Sequence, residues 1–157
     1  MTTAIITQLF YIQITLALFL GLLLGVERSF AGKTAGMRTY GLVAMGACLF
    51  IILSRLVSPV TDPGSPGLMY VLQGLIMGIG FIGGGAILHN HDHNQDHASG
   101  ITTAAGLWIT AGIGAAVGYG FISLAIFSTI ATLFVFTALW FIEHKITKSD
   151  LRKSDFQ

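Results

Sequence analysis

The chain has 157 residues, 54% of them apolar and only 10% charged, with a mean hydropathy of +0.78 and a formal net charge of +1. A soluble domain carries about twice that charged fraction, so the composition excludes a water-surrounded enzyme or carrier domain and leaves a membrane protein. No basic stripe with interleaved aromatics points to nucleic acid, and a single cysteine, Cys48, excludes an intrachain disulfide.

Five apolar runs fill most of the length: residues 6–26, 39–57, 68–88, 101–118 and 121–142. Each is close to the roughly 20 residues that carry a helix across about 30 Å of hydrocarbon. The expected fold is an all-α bundle of five transmembrane helices. Residues 1–144 then form the transmembrane domain and 145–157 a short basic cytoplasmic tail.

No lysine or arginine precedes the first run, unlike the basic start of a signal peptide. Within it Ala17, Gly21 and Gly25 recur every fourth residue and line one helix face. The run closes on Glu27 and Arg28, and Lys33, Gly36, Arg38 and Thr39 lead into the second. Glu27 is expected to pair with Arg28, Lys33 or Arg38 at a partly dry interface, where an ion pair counts for more than on an open surface. The second run holds Cys48 as a small apolar filler. It ends near Arg55, before a loop, 58–67, that contains all three prolines. Those prolines predict rigid turns and leave the spans free of proline kinks.

The third run carries Gln73, Gly74, Gly78, Gly80, Gly83 and Gly84. Small residues let helix backbones approach in lipid, so the stretch reads as a packing seam, within the bundle or between copies. A second reading is local unwinding that bares carbonyls to a cavity, since each glycine weakens a helix by up to about 1 kcal/mol relative to alanine. The following loop carries His89, His91, His93 and His97 with Asp92 and Asp96. It reads as a solvated loop, as a weak divalent-metal site suited to zinc or nickel, or as a pH sensor; no other cofactor is indicated.

The fourth run opens on Gly100-Ile101-Thr102-Thr103, where Thr102 is expected to cap the helix and free amides to attract anions. Ala111 with Ala115 and Gly114 with Gly118 form two more small-residue pairs. Gly118-Tyr119-Gly120 predicts a tight turn into the fifth run; the alternative is one bent helix. Phe10, Tyr11, Tyr70, Tyr119, Trp140 and Phe141 mark the run ends as interface anchors.

Charge placement predicts the topology. Arg28, Lys33 and Arg38 follow the first run and Lys145, Lys148, Arg152 and Lys153 the last, with only Arg55 near the opposite side. Five crossings put both basic groups on one side, which gives an outside N-terminus and a cytoplasmic C-terminus in an inner membrane. All seven carboxylates sit at run ends, in loops or in the tail. That counts against a proton-coupled carrier or a magnesium pump, because Mg²⁺ takes hard oxygen ligands and dehydrates reluctantly. No nucleophile–base pair is legible, so no catalytic activity is expected.

Three blocks then stand together: Gly25-Val26-Glu27-Arg28 with Lys33-Thr34-Ala35-Gly36-Met37-Arg38-Thr39, Gln73-Gly74 with the run from Gly78 to Ile87, and Gly100-Ile101-Thr102-Thr103-Ala104-Ala105-Gly106-Leu107-Trp108 followed by Ala111. In this order, over residues 16–136, they resemble the MgtC/SapB family of bacterial membrane proteins. The resemblance implies an inner-membrane protein, here in a short form without the cytoplasmic C-terminal domain of longer members. It implies a modulator of other membrane machinery, ATP synthase included, tied to magnesium homeostasis, acid stress and virulence. Tyr70 departs from the pattern, standing near a position where relatives usually carry a basic residue, and the His-rich loop replaces a shorter segment.

Residues and resemblance together nominate Glu27, Arg28, Lys33, Arg38, Thr39, Thr102 and Thr103 as a functional cytoplasmic cluster. Gly21, Gly25, Gly74, Gly78, Gly80, Gly83, Gly84 and Trp108 are nominated as packing or gating elements. The expected partners are membrane lipid, other inner-membrane proteins and further copies of the chain. The rival expectation is a transporter or channel for Mg²⁺ or another small ion, built on backbone carbonyls around 78–85.

Overall fold

The computed structural model describes residues 2–57, 66–88 and 100–139. Over these the chain forms five helices and no strand: α1 (Thr2–Phe30), α2 (Met37–Val57), α3 (Pro66–Leu88), α4 (Ile101–Tyr119) and α5 (Ile122–Phe134), the last running on into a π-turn, Val135–Leu139. Helices α1 to α4 are long and apolar enough to cross a membrane, and the apolar stretch Ile122–Ala138 is shorter. The protein is therefore a multi-pass membrane protein. The fifth apolar run extends past the described residues, as do the four loop histidines and the basic tail.

Glycine ends two of the helices. Gly32 (φ 64°) closes α1, with the Lys33 amide donating to the Arg28 carbonyl at 3.0 Å and the Gly32 amide to Ser29 at 3.2 Å. Gly120 (φ 92°) closes α4 in the same way, through Phe121 to Ala116 at 2.8 Å and Gly120 to Val117 at 2.9 Å. These paired bonds satisfy carbonyls that a helix end otherwise leaves open. Pro66 opens α3 at a position where its missing N–H costs nothing.

The helices run alternately up and down. Tyr40, near the start of α2, meets Thr103 near the start of α4; Gly83, late in α3, abuts Ala104; and Phe136, beyond α5, meets both Tyr40 and Gly106. The break at Gly120 is thus a tight reversal, as expected, and not a bend within one helix. Arg28, Lys33 and Arg38 share this end of the bundle.

At the opposite end, Arg55 donates from Nη1 to the Gly118 carbonyl at 2.8 Å, and Gln13 from Nε2 to the Val117 carbonyl at 2.8 Å. Both take carbonyls at the C-terminus of α4, which gives Arg55, the one basic residue at this end among the described residues, a structural task.

Helices α2 and α4 form the centre, and small residues set their spacing. A Cβ at Gly21 would lie 2.5 Å from the Tyr40 carbonyl oxygen, and one at Gly25 would lie 2.5 Å from the Met37 Cα. A Cβ at Gly114 would overlap the Ala44 carbonyl, and one at Gly118 would come within 2.8 Å of the Cys48 carbonyl oxygen. Tyr40, Leu24, Ile51, Leu107, Ile113 and Val117 fill the core around these approaches. In α5 the buried face is Ala125, Thr129 and Thr132, while Phe127 and Phe134 point outward. The two threonine hydroxyls donate to the Ala125 and Ser128 carbonyls of their own helix, so they are satisfied without water.

Helix α3 corrects one expectation. Its glycines do not unwind it; the helix is continuous from Pro66 to Leu88. Its carbonyls remain in the helical ladder. The inward face holds Leu68, Ile79 and Gly83, and a Cβ added to the last would meet Ala104 Cβ at 3.4 Å, an ordinary contact. At Gly74, Gly78, Gly80 and Gly84 an added Cβ would meet nothing within 4 Å.

Candidate functional site

The charged end of the bundle is built around a buried arginine. Arg28 is only 3% exposed. Its Nη2 donates to Glu27 Oε1 at 2.7 Å, and its Nε donates to Glu27 Oε2. The same group lies over the Phe136 ring, 3.8 Å from its centroid, with Nη2 3.5 Å from the Phe136 carbonyl oxygen. A bidentate carboxylate and an aromatic face are the partners a planar guanidinium accepts in a dry setting. Phe136 sits in the π-turn, a wider helical geometry common where a helix is shaped around a particular contact.

Around this knot the Tyr40 hydroxyl donates to the Thr103 carbonyl at 3.4 Å, and the Tyr40 and Phe136 rings meet edge to face at 6.4 Å. Gly106 makes room for both; a Cβ there would come within 2.7 Å of Phe136 Cζ. Nearby, Ser29 Oγ accepts the Met37 amide at 3.2 Å, so α1 supplies a cap for α2 across the turn. Gly36 allows that approach, because a Cβ on it would stand 2.5 Å from Ser29 Oγ.

The expected cluster is therefore divided. Glu27, Arg28 and Thr103 come together, and Glu27 pairs with Arg28 and not with Lys33 or Arg38. Lys33 is exposed on the turn. Thr102 is exposed on α4 and does not cap it: Gly100, with φ 95°, takes the cap position, and its carbonyl accepts the Ala104 amide at 2.9 Å. Helix α4 begins one residue before Thr102, which leaves its hydroxyl too late for that role. Arg38 and Thr39 face away from the knot, into a cleft of about 710 Å³ between α2 and α3 that is also lined by Phe50, Gly74, Gly78 and Ile82.

The packing nominations divide as well. Gly21 and Gly25 lie in tight α1–α2 contacts, and Gly83 touches α4. Trp108 is half exposed on the outside of α4 and packs no helix seam, since the inward side of that turn belongs to Gly106, Leu107 and Thr110. Tyr40, Gly106, Phe136 and Ser29 were not anticipated. The tyrosine had a legible signal, a hydroxyl inside an apolar run that needs a partner. Phe136 had none, because its pairing exists only once α5 folds back.

His89, His91, His93 and His97 lie outside the described residues, within which no group of three metal-ligating side chains occurs. The only carboxylate among the described residues is Glu27, and Arg28 holds both of its oxygens.

The chain resembles known proteins over this same region. The model of the MgtC family matches residues 14–145. Protein SrpB of Synechococcus elongatus is 37% identical over 131 residues, covering 77% of this chain and 69% of its own length. YhiD of Escherichia coli K12 is 39% identical over 132 residues, covering 82% of this chain and 60% of its own. Protein MgtC of Salmonella typhimurium is 39% identical over 124 residues, covering 79% of this chain and 49% of its own. The chain thus spans about half to two thirds of these relatives. No solved structure matches it.

Proposed function

The chain belongs to the MgtC family, and from that premise we propose a non-enzymatic inner-membrane regulator that supports magnesium homeostasis and stress physiology by contacting other membrane proteins. In this proposal the bundle has five crossings, with the Arg28–Arg38 end in the cytoplasm and the N-terminus outside. The observation that carries it is the outward face of α3. One helical turn apart, Gly80 and Gly84 present bare backbone beside exposed Met77 and Phe81, and a Cβ on either glycine would meet nothing within 4 Å. Backbone approach of that kind is how helices associate in lipid, where apolar burial gives little drive. A membrane helix of another protein, or of a second copy, is the matching surface. The ion-paired knot of Glu27 and Arg28 fixes the cytoplasmic end of the bundle against which such a contact registers.

The second reading, Mg²⁺ transport, has one point in its favour: YhiD carries the name of a candidate magnesium transporter. Against it stand the continuous ladder of α3 and the engagement of the sole described carboxylate. Magnesium selects octahedral oxygen ligands, usually with a carboxylate.

The test is complementation of a strain lacking the protein, grown in low magnesium. Gly80→Leu and Gly84→Leu should insert and melt like wild type yet fail to restore growth. Full restoration by both variants at normal expression would refute the contact role of this face.

A further inference from the structure

The cleft between α2 and α3 lies on a different face of α3 from Gly80 and Gly84. At 100° per residue, Gly74, Gly78 and Ile82 fall on one side of the helix while Met77, Gly80 and Gly84 fall on another. We propose that this cleft is a binding site for one anionic phospholipid, with the phosphate at Arg38 and an acyl chain lying along the cleft.

The shape supports a chain. From Arg38 to Phe50 the lining follows α2 for about 18 Å at 1.5 Å per residue, a length suited to an extended lipid tail. Gly46, Gly74 and Gly78 leave the floor empty, since a Cβ on any of them meets nothing within 4 Å. The cleft opens sideways past Leu42 and Phe50, both more than half exposed, so a lipid enters from the bilayer without crossing the bundle.

The charge supports an anion. An acyl chain gains little by leaving the bilayer for an apolar cleft, so selectivity must come from the headgroup. Among the described residues the only polar side chains lining the cleft are Arg38 and Thr39, which sit together at one mouth. Arg38 is exposed and forms no ion pair among the described residues, where the one acid is already held by Arg28. A guanidinium matches phosphate oxygens in bidentate fashion. Both residues also belong to the first turn of α2, whose dipole end favours negative charge. A basic group between membrane helices at headgroup level is the arrangement that selects anionic lipid.

The experiment is native mass spectrometry of the whole chain in detergent, titrated with phosphatidylglycerol or with phosphatidylcholine of the same acyl chains. The first phosphatidylglycerol should bind about fivefold more tightly than the first phosphatidylcholine. Arg38→Gln should abolish that preference, while Lys33→Gln, on the turn outside the cleft, should keep it. Gly78→Leu should weaken the first binding of both lipids by filling the floor. Equal affinity of the wild type for the two lipids would overturn the proposal. So would an unchanged preference in Arg38→Gln, or an equal loss in Lys33→Gln, which would mean diffuse surface charge. Undiminished binding to a folded Gly78→Leu variant would also overturn it, leaving the cleft to a partner helix.

Discussion

Replacing Arg28 with methionine removes a positive charge that the fold has buried beside its own neighbour. The side chain is 3% exposed and that of Glu27 17%, so the carboxylate left behind is largely cut off from water. Breaking a fully buried pair costs roughly 3–5 kcal/mol, and the residual exposure of Glu27 places this loss near the lower end, about 3 kcal/mol. Loss of the contact with Phe136 adds about 1 kcal/mol. Glu27→Gln keeps one acceptor for the guanidinium and should cost less, about 2 kcal/mol. In the double variant neither charge is stranded, so its loss should fall short of the two single losses taken together by about 2 kcal/mol. Reversible unfolding in mixed micelles, titrated with a denaturing detergent and followed by circular dichroism, measures all four proteins. Additivity within about 0.5 kcal/mol would mean that the two side chains act independently and would refute the pairing as a structural element.

The glycines should separate sharply by position. Gly114→Leu, which drives a side chain into the Ala44 backbone, should yield no folded protein by size-exclusion chromatography, whereas Gly84→Leu should melt like wild type. Ser29→Ala removes the acceptor of the Met37 amide and should lower stability by about 1 kcal/mol in the same micelle titration, with no change in helix content.

Much of the fold was legible because the bilayer restricts the solutions. The first four apolar runs became helices within a few residues of the expected ends, the fifth became the shorter α5 with its run extending past the described residues, and the Gly120 turn reversed the chain as its glycines implied. The spacing of Ala17, Gly21 and Gly25, and of Gly114 and Gly118, also marked true helix contacts. What periodicity does not disclose is which side of a glycine-rich helix meets a neighbour. Gly21 and Gly80 carry the same local signal, yet one touches the Tyr40 backbone and the other faces outward. Charge spacing is blind in a similar way. Arg28 and Arg38 flank one turn, but helix rotation sends the first into the knot and the second into the α2–α3 cleft. Thr102 was misread because a helix cap depends on where the backbone leaves helical geometry, and Gly100 takes that position here.

The contact mechanism is tested most directly by purified protein in sealed liposomes containing a Mg²⁺-sensitive dye, with Glu27→Ala and Gly80→Leu variants alongside. A regulator that acts through contacts predicts no magnesium influx above empty liposomes from correctly folded protein. Saturable influx that disappears in the variants would contradict it and make the protein a transporter.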